Sequence, residues 1–276
     1  MKTLVNRVAV VTGASRGGGK GIATALGEAG ATVYVTGRSF RGNRTTDIPN
    51  ETIEDTAETV TQLGGVGTPV QVDHTIDEQV EGLFSRVMKE QGRLDLLVNN
   101  AWVGYEMGDG FWGRKRFWEL PMRQWELMHG AGLRSHMTAA RGAISIMLDQ
   151  GRGLIVNTTS GINPDSKFHP NLFYDTFKSS IYRMTHGMAE ECRKSSIAVI
   201  LLSLGDEHQY MRTWEPDDNT NPEDLEKTFT PVYAGRAIAA LAVDPEVMSK
   251  VDVRPYLEVP DVAREYGFRD VDGRQP

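Results

Sequence analysis

Tyr174 and Lys178 stand four residues apart, and Ser160 lies fourteen residues before the tyrosine, at the end of an apolar run. Four residues is slightly more than one helical turn, so phenol and ammonium leave the same helix face. An ammonium held near a phenol favours the phenolate and lowers the tyrosine pKa from its usual value near ~10. A tyrosine tuned in this way exchanges a proton with a carbonyl or alcohol oxygen near neutral pH. A Tyr/Lys pair at this spacing also occurs on solvated helices, so its meaning depends on the elements around it.

Those elements alternate. Val8–Val11 is a short β-branched run that enters a glycine-rich turn, the pattern of a buried parallel strand feeding a helix. A helix over about Gly19–Ala29 and a strand over Ala31–Thr36 follow. Residues 37–50 hold three arginines among glycines and threonines and read as an irregular loop. The spacing then predicts helix Glu51–Leu63, strand Pro69–Val72, helix Asp77–Gln91 and strand Leu94–Val98. After an aromatic insertion over about 102–120, the predicted elements are helix Met122–Leu148, strand Leu154–Thr158, helix Phe173–Arg193 and strand Ala198–Ser203. Residues 205–230 are polar and acidic without a stable period and read as a mobile lid. Helix Val232–Val243 and a strand around Val251–Val259 close the chain. This alternation is the signature of an α/β doubly wound parallel sheet. With no repeat and no Pro/Ser-rich linker, residues 1–276 read as one domain.

The turn between the first strand and first helix is Thr12-Gly13-Ala14-Ser15-Arg16-Gly17-Gly18-Gly19. Gly13 permits a tight turn, and Gly17 and Gly19 let backbone amides and the helix N-terminus approach a pyrophosphate. The spacing is neither G-x-G-x-x-G nor a Walker loop, since Gly19-Lys20 runs into Gly21. The end of the second strand selects the dinucleotide: an acid there takes a ribose 2′-hydroxyl, a cation takes a 2′-phosphate. Here it reads Thr36-Gly37-Arg38-Ser39, with no acid, and Arg16 lies in the adjacent turn. Arg38 and Arg16 together favour NADP(H) over NAD(H), and Arg41 and Arg44 extend the candidate patch.

Composition narrows the remaining classes. A chain of 276 residues with 39% hydrophobic and 24% charged content suits a soluble globular protein with a substantial core. A formal net charge of −7 argues against sequence-independent nucleic-acid binding, which needs a basic face. Cys192 is the single cysteine, which leaves no intrachain disulfide and no thiolate metal site, so no metal is expected. No stretch approaches the roughly 18 apolar residues of a membrane span. The first strand begins near Arg7, leaving no room for a signal peptide, and a cytoplasmic location is expected.

Taken together, Thr12-Gly13-x-x-x-Gly17-x-Gly19, Asp73, Asn99-Asn100-Ala101, Ser160 and Tyr174-x-x-x-Lys178 resemble the short-chain dehydrogenase/reductase family in order and spacing. The tail Arg264–Arg274, the run Gly132–His136 and the aromatic insertion are similar to one branch of it. The resemblance implies a Rossmann-type fold and hydride transfer between nicotinamide and a carbonyl or secondary alcohol. It implies Tyr174 as general acid/base, Lys178 as the group that tunes it and binds the nicotinamide ribose, and Ser160 as the holder of the substrate oxygen. Gly13, Ser15, Arg16, Gly17, Gly19, Arg38, Asp73, Asn99 and Ala101 would line the cofactor, with Asp73 at the adenine.

Three positions depart from the family pattern. Gly132 stands where an asparagine usually completes a proton relay, which leaves water, Lys178 alone, or His129 or His136 to serve; either histidine also reads as an ordinary helix residue. Leu204-Gly205 replaces Pro-Gly, and the threonine that follows aligns with Gln209. Trp102 replaces the glycine that ends the Asn-Asn-Ala-Gly motif.

The insertion follows a strand's C-terminal end, where open α/β sheets bind ligands. Trp102, Tyr105 or Trp112 therefore lines a pocket for an apolar or aromatic carbonyl compound, or else packs the loop onto the body. Phe177, Ile181, Met184 and Met188 form an apolar stripe that either faces the core or, as in relatives, meets a second copy in a homodimer or homotetramer. The alternative function is a catalytically weak nucleotide-binding regulatory or scaffold protein, favoured by Gly132, Leu204 and Gln209 and opposed by the intact Ser160, Tyr174 and Lys178.

Overall fold

The computed structural model describes residues 2–107, 115–160, 169–205, 209–213, 216–217, 220–253 and 255–275. Its first half alternates as β1 (Val8–Val11), α1 (Gly17–Glu28), β2 (Thr32–Gly37), α2 (Ile53–Gln62), β3 (Val66–Gln71), α3 (Asp77–Gln91) and β4 (Leu96–Asn99). A 3-10 turn (Gly104–Glu106) precedes α4 (Met122–Leu127), a π-helical stretch (Met128–Arg134) and α5 (Ser135–Gln150). Next come β5 (Gly153–Thr159), α6 (Leu172–Cys192), β6 (Ile197–Ser203), β7 (Tyr210–Met211), α7 (Pro222–Glu226) and β8 (Thr228–Phe229). The chain ends with α8 (Pro231–Leu241), α9 (Val247–Val253), β9 (Tyr256–Glu258) and α10 (Val259–Tyr266).

The main sheet has seven strands in the order β3-β2-β1-β4-β5-β6-β9, all parallel. Strand order reverses between β1 and β4, so the crevice at their C-terminal ends is the topological switch point where such sheets take ligands. Both faces are covered, which is why the strands read as continuous apolar runs. Within β1, Val11 enters one core with Ile22, Leu26 and Ile238, while Val10 enters the other with Leu83, Phe84 and Met147. Each such side chain, taken fully out of water, contributes roughly 1.5–3 kcal/mol. A third cluster, with Val103, Met128, Phe173, Phe177, Ile181 and Leu201, lies around Tyr174 and supports the crevice.

Three expectations need correction. β3 begins at Val66 and not at Pro69; it is an edge strand, half-exposed along its length, so it carries little apolar signal and tolerates a proline. Val251–Val253 is the end of a helix, and only Tyr256–Glu258 pairs with β6. The polar segment 205–230 is not without structure: β7 and β8 pair in parallel, Tyr210 opposite Thr228, flanking α7. Two-residue strands and a five-residue helix are too short to imprint a period on the sequence. The C-terminal tail secures this region. The buried Asp270 carboxylate accepts from the Thr230 amide at 2.7 Å, and Arg274 donates to the carbonyls of Leu225 and Thr228 at 3.0 and 3.3 Å.

Candidate active site

The glycine turn forms the floor of the crevice. Gly13 has φ +64°, and a Cβ there would lie 2.7 Å from the Ala101 Cα. A Cβ on Gly19 would lie 2.3 Å from the Gly13 carbonyl oxygen and 2.6 Å from Asn100 Nδ2. The turn is thus closed around its own backbone, and only glycine fits. It is bolted to the end of β4. Thr12 Oγ1 accepts from the amides of Asn100 and Ala101 at 2.9 and 3.0 Å, while Asn100 Nδ2 donates to the carbonyls of Thr12 and Gly13 at 3.2 and 3.3 Å. Arg16, the N-cap of α1, makes no side-chain cap, and the first turn holds no acid, so the helix N-terminus retains its orphan amides.

At the end of β2, Arg16 and Arg38 reach the same corner. Arg16 Nη2 donates to Ser39 Oγ at 2.6 Å and also to Thr45 Oγ1, and its Nε lies 3.6 Å from the Glu51 carboxylate. Arg38 is ion-paired to Glu106 of the 3-10 turn. Arg41 is drawn away: its guanidinium is shared between Asp55 and Glu58 on α2, at 2.6 and 2.7 Å. Arg44 donates to the Ile48 carbonyl at 3.4 Å within its own loop. The expected patch of four cations therefore contracts to two. Asp73 lies at the end of β3 with Oδ1 bound to the Thr75 amide and hydroxyl; its Oδ2 has no hydrogen bond among the described residues. Asn99, expected to line the cofactor, has its side chain fully buried. Its Nδ2 donates to the His136 carbonyl at 3.1 Å and to Asn157 Oδ1 at 2.9 Å, which ties β4 to α5 and β5.

Ser160 Oγ and Tyr174 Oη are 2.8 Å apart. Tyr174 sits in the first turn of α6, where Asn171 is the N-cap and accepts from the Tyr174 amide at 3.1 Å. That bond fixes where the helix starts and therefore where the phenol points. One turn on, the Lys178 ammonium is buried among rings: Nζ lies 5.0 Å from the Phe177 centroid, 5.4 Å from Trp102 and 5.6 Å from Tyr174. No hydrogen bond or ion pair reaches that ammonium among the described residues. Burial pulls its pKa down to about 8. Burial also pushes Tyr174 up to about 12, against the Ser160 hydrogen bond, which pulls it down. The expectation of a depressed tyrosine pKa is reversed in this structure, because desolvation of the buried phenol outweighs the Ser160 hydrogen bond.

Gly132 lies in the π-helical stretch, and a Cβ there would sit 2.4 Å from both Cε2 and Cζ of Phe177. The phenyl ring fills the space that a side chain at this position would need. The two histidines differ. His129 bonds the Trp125 carbonyl of its own helix at 2.9 Å and stacks on the Trp125 ring. His136 is buried, its Nδ1 has no partner among the described residues, and burial and the nearby Lys178 charge push its pKa down to about 3.

Trp102 meets Tyr174 edge-on with centroids 5.9 Å apart, which brings the tryptophan of the insertion beside the Ser160/Tyr174 contact. Tyr105 falls within the 3-10 turn; Trp112 lies outside the described residues. Over the glycine turn stand Met211 and Thr213, whose side chains come within 3.0 Å of a Cβ on Gly18 and 3.7 Å of one on Gly17, respectively. Four contributors escaped the sequence reading. Asn171 before an apolar-periodic run is a readable N-cap signal. His169, whose ring centroid is 4.9 Å from that of Tyr174, and Phe177 against Gly132 carry no local signal. Glu106 against Arg38 is a contact across sixty-eight residues and invisible without the fold.

A sequence profile for short chain dehydrogenases matches residues 7–213. The chain belongs to that family. Across 97% of its length this dehydrogenase is 34% identical to Dehydrogenase/reductase SDR family member 1 of Mus musculus, covering 84% of that protein, and equally so to the Homo sapiens protein. These relatives mark the branch to which the C-terminal tail pointed. Among solved structures, a short chain dehydrogenase of Mycobacterium thermoresistibile superposes with TM-score 0.80 at 21% identity, over 99% of this chain and 91% of that one. A metagenomic short-chain oxidoreductase in complex with NADP superposes with TM-score 0.69 at 24% identity, over 89% and 94%.

The residues present suit a nicotinamide dinucleotide, the cofactor that membership of the short chain dehydrogenase family implies. Gly13 and Gly19 of the cradle admit no Cβ, the first turn of α1 carries no side-chain cap, and the Lys178 ammonium is buried without a hydrogen-bond partner among the described residues. Phosphate oxygens and ribose hydroxyls are the complementary groups. No described helix is long and apolar enough to cross a membrane.

Proposed function

We propose that this dehydrogenase is an NADP(H)-dependent oxidoreductase acting on an apolar or aromatic ketone or aldehyde, or the corresponding secondary alcohol. The observation that carries the reading is the 2.8 Å contact between Ser160 Oγ and Tyr174 Oη with Lys178 one turn further on. The cofactor, when bound, supplies or accepts hydride at the nicotinamide C4. Tyr174 Oη holds the proton delivered to the carbonyl oxygen, or takes the proton of the alcohol in the reverse direction. Ser160 Oγ, in contact with that phenol, gives the same substrate oxygen a second hydrogen bond and stabilises charge developing there. Lys178 binds the ribose hydroxyls, and its charge lowers the cost of the phenolate. Arg38 and Arg16 favour a 2′-phosphate at the end of β2. Gly13, Gly17 and Gly19 bring the backbone to the pyrophosphate, with Ser15 and Ala101 beside it, and Asp73 offers Oδ2 to the adenine. Trp102 and His169 flank Tyr174 and give the substrate flat walls. The exposed Met137 and Leu148 of α5 support a homo-oligomer, which light scattering on the purified protein tests.

Tyr174→Phe is the deciding variant. It should bind NADPH as the parent does and lose substrate-dependent NADPH oxidation by a factor of about 10²–10⁴, the usual worth of a positioned proton donor. Retained turnover sinks the role given to Tyr174. A second reading, a nucleotide-binding protein with weak catalysis, is favoured by Phe177 occupying the space beside Gly132. Tight NADPH binding with no turnover over a broad panel of ketones and aldehydes is the outcome that selects it.

A further inference from the structure

The two cations at the end of β2 are already matched by carboxylates. Arg38 is ion-paired to Glu106, with side chains 36% and 30% exposed, and Arg16 Nε lies 3.6 Å from Glu51. Glu51 opens the approach to α2, close in sequence to the loop that carries Arg38. Glu106 comes from elsewhere: it ends the 3-10 turn beyond β4, on the far side of the switch point. A phosphate and a hydroxyl meet this pair differently. A 2′-phosphate carries about −1.5 to −2 charges near neutral pH, so it competes with Glu106 for Arg38 and is repelled by the displaced carboxylate. A ribose 2′-hydroxyl does not compete for the cation and can donate to a carboxylate oxygen, the contact that an acid at the end of β2 makes in NAD-binding folds.

We infer that Glu106 is a cofactor-specificity residue: by neutralising Arg38 from across the crevice, it weakens NADPH binding and supports NADH, and so narrows the discrimination that the arginine sets. The inference rests on the reading of Arg38 as the 2′-phosphate contact. Trp102 lies just before the turn that bears Glu106 and packs on it: a Cβ on Gly104 would sit 2.2 Å from Cζ2 of its ring. A variant that removed the Arg38 contact outright would therefore disturb the wall of the substrate pocket as well. Glu106→Gln avoids this: it keeps the length, the shape and an oxygen that accepts from Arg38, and removes only the charge.

The experiment measures dissociation constants for NADPH and NADH, by quenching of intrinsic fluorescence, in the parent, Glu106→Gln, Arg38→Gln and the double variant. Glu106→Gln should tighten NADPH about tenfold, leave NADH unchanged or weaker, and lose most of its effect at high salt, as expected for a partly exposed charge. In the Arg38→Gln background the same substitution should change the NADPH to NADH ratio by less than about twofold, because the cation through which Glu106 acts is gone. An unchanged ratio in Glu106→Gln overturns the inference, as does an equal change with and without Arg38. The parent's own preference tests the NADP(H) reading separately. Tighter NADH binding in the parent, with a ratio still moved by Glu106→Gln, would reject that reading and keep the role of Glu106.

Discussion

Replacing Gly132 tests whether Phe177 owns the space at the heart of the site. A Cβ at position 132 would lie 2.4 Å from two ring carbons of Phe177, whereas carbon atoms pack best at about 3.5–4.0 Å. The ring must therefore retreat by more than ~1 Å in a cluster with no slack: Phe177, Met128 and Ile181 are all fully buried. Overpacking of this kind costs about 1–3 kcal/mol. At roughly 2–4 °C per kcal/mol for a chain of this size, Gly132→Ala should lower the Tm by about 2–12 °C. Activity should fall with it, because Phe177 sits between Tyr174 and Lys178 in sequence and its ring lies 5.0 Å from the Lys178 ammonium. Phe177→Leu removes ring atoms and so makes room. A double-mutant cycle read by urea unfolding should give a coupling of about 0.5–3 kcal/mol, the pair being less destabilised than the sum of the single variants. Gly132→Ala with an unchanged Tm, or strict additivity with Phe177→Leu, refutes the reasoning.

Lys178→Met should stabilise the free protein while abolishing its function. The folded pKa of about 8 lies below the ordinary 10.5, so the unfolded chain binds more protons and stability rises as pH increases between those values. Below pH 8 the full penalty applies, at most about 3 kcal/mol, less the contacts of the ammonium with the three rings. The Tm gain of the variant at pH 7 should therefore shrink towards pH 10; a gain that grows with pH contradicts this assignment. NADPH affinity should also depend on the same proton. The parent's dissociation constant should be flat from pH 7 to 8 and then weaken up to tenfold per unit above about pH 8, as the ammonium that meets the ribose is lost. Lys178→Met should be weak and flat over that range, and a parent constant that does not move between pH 7 and 9.5 rejects the ribose role.

What could be read without the fold, and what could not, follows from the range of the interactions. The buried strands announce themselves because both faces are covered: Val8–Val11 is apolar throughout, and so is β6 up to Leu202. The glycine turn and the Tyr174/Lys178 pair are legible for a different reason: each is fixed by a local backbone constraint or by helical spacing. The edge strand β3 and the short elements of residues 205–230 were illegible because they bury too little to pattern the chain. The reach of the arginines was misjudged in a telling way. Arg41 and Arg44 lie only four and seven residues beyond the end of β2, yet α2 presents Asp55 and Glu58 to Arg41, and Arg44 turns into its own loop. Asn99 was placed by its motif, but hydrogen bonds to His136 and Asn157, on elements far away in the chain, turn it into the protein interior.

The opposite shifts of Tyr174 and Lys178 bear on what the pair can do. In a solvated helix the ammonium would be fully charged and would draw the phenol towards ionisation. Here both groups are buried, and burial favours the neutral form of each. At pH 7 the phenol, near 12, still carries its proton, and the lysine, near 8, is still mostly an ammonium. That is the proton inventory of a site ready to give a proton to an oxygen bearing new negative charge. Taking a proton from an alcohol needs the phenolate, and the groups able to support one within the described structure are Ser160, 2.8 Å away, and the ammonium beside the ring. An ammonium buried among aromatic rings without a hydrogen bond among the described residues costs stability; the phenol, neutral whether folded or unfolded at pH 7 and bonded to Ser160, does not. Helix α6 carries both within one turn, behind an intact Asn171 cap. Packing alone would put an apolar residue at position 178, so the buried lysine fits the chemistry proposed for the pair.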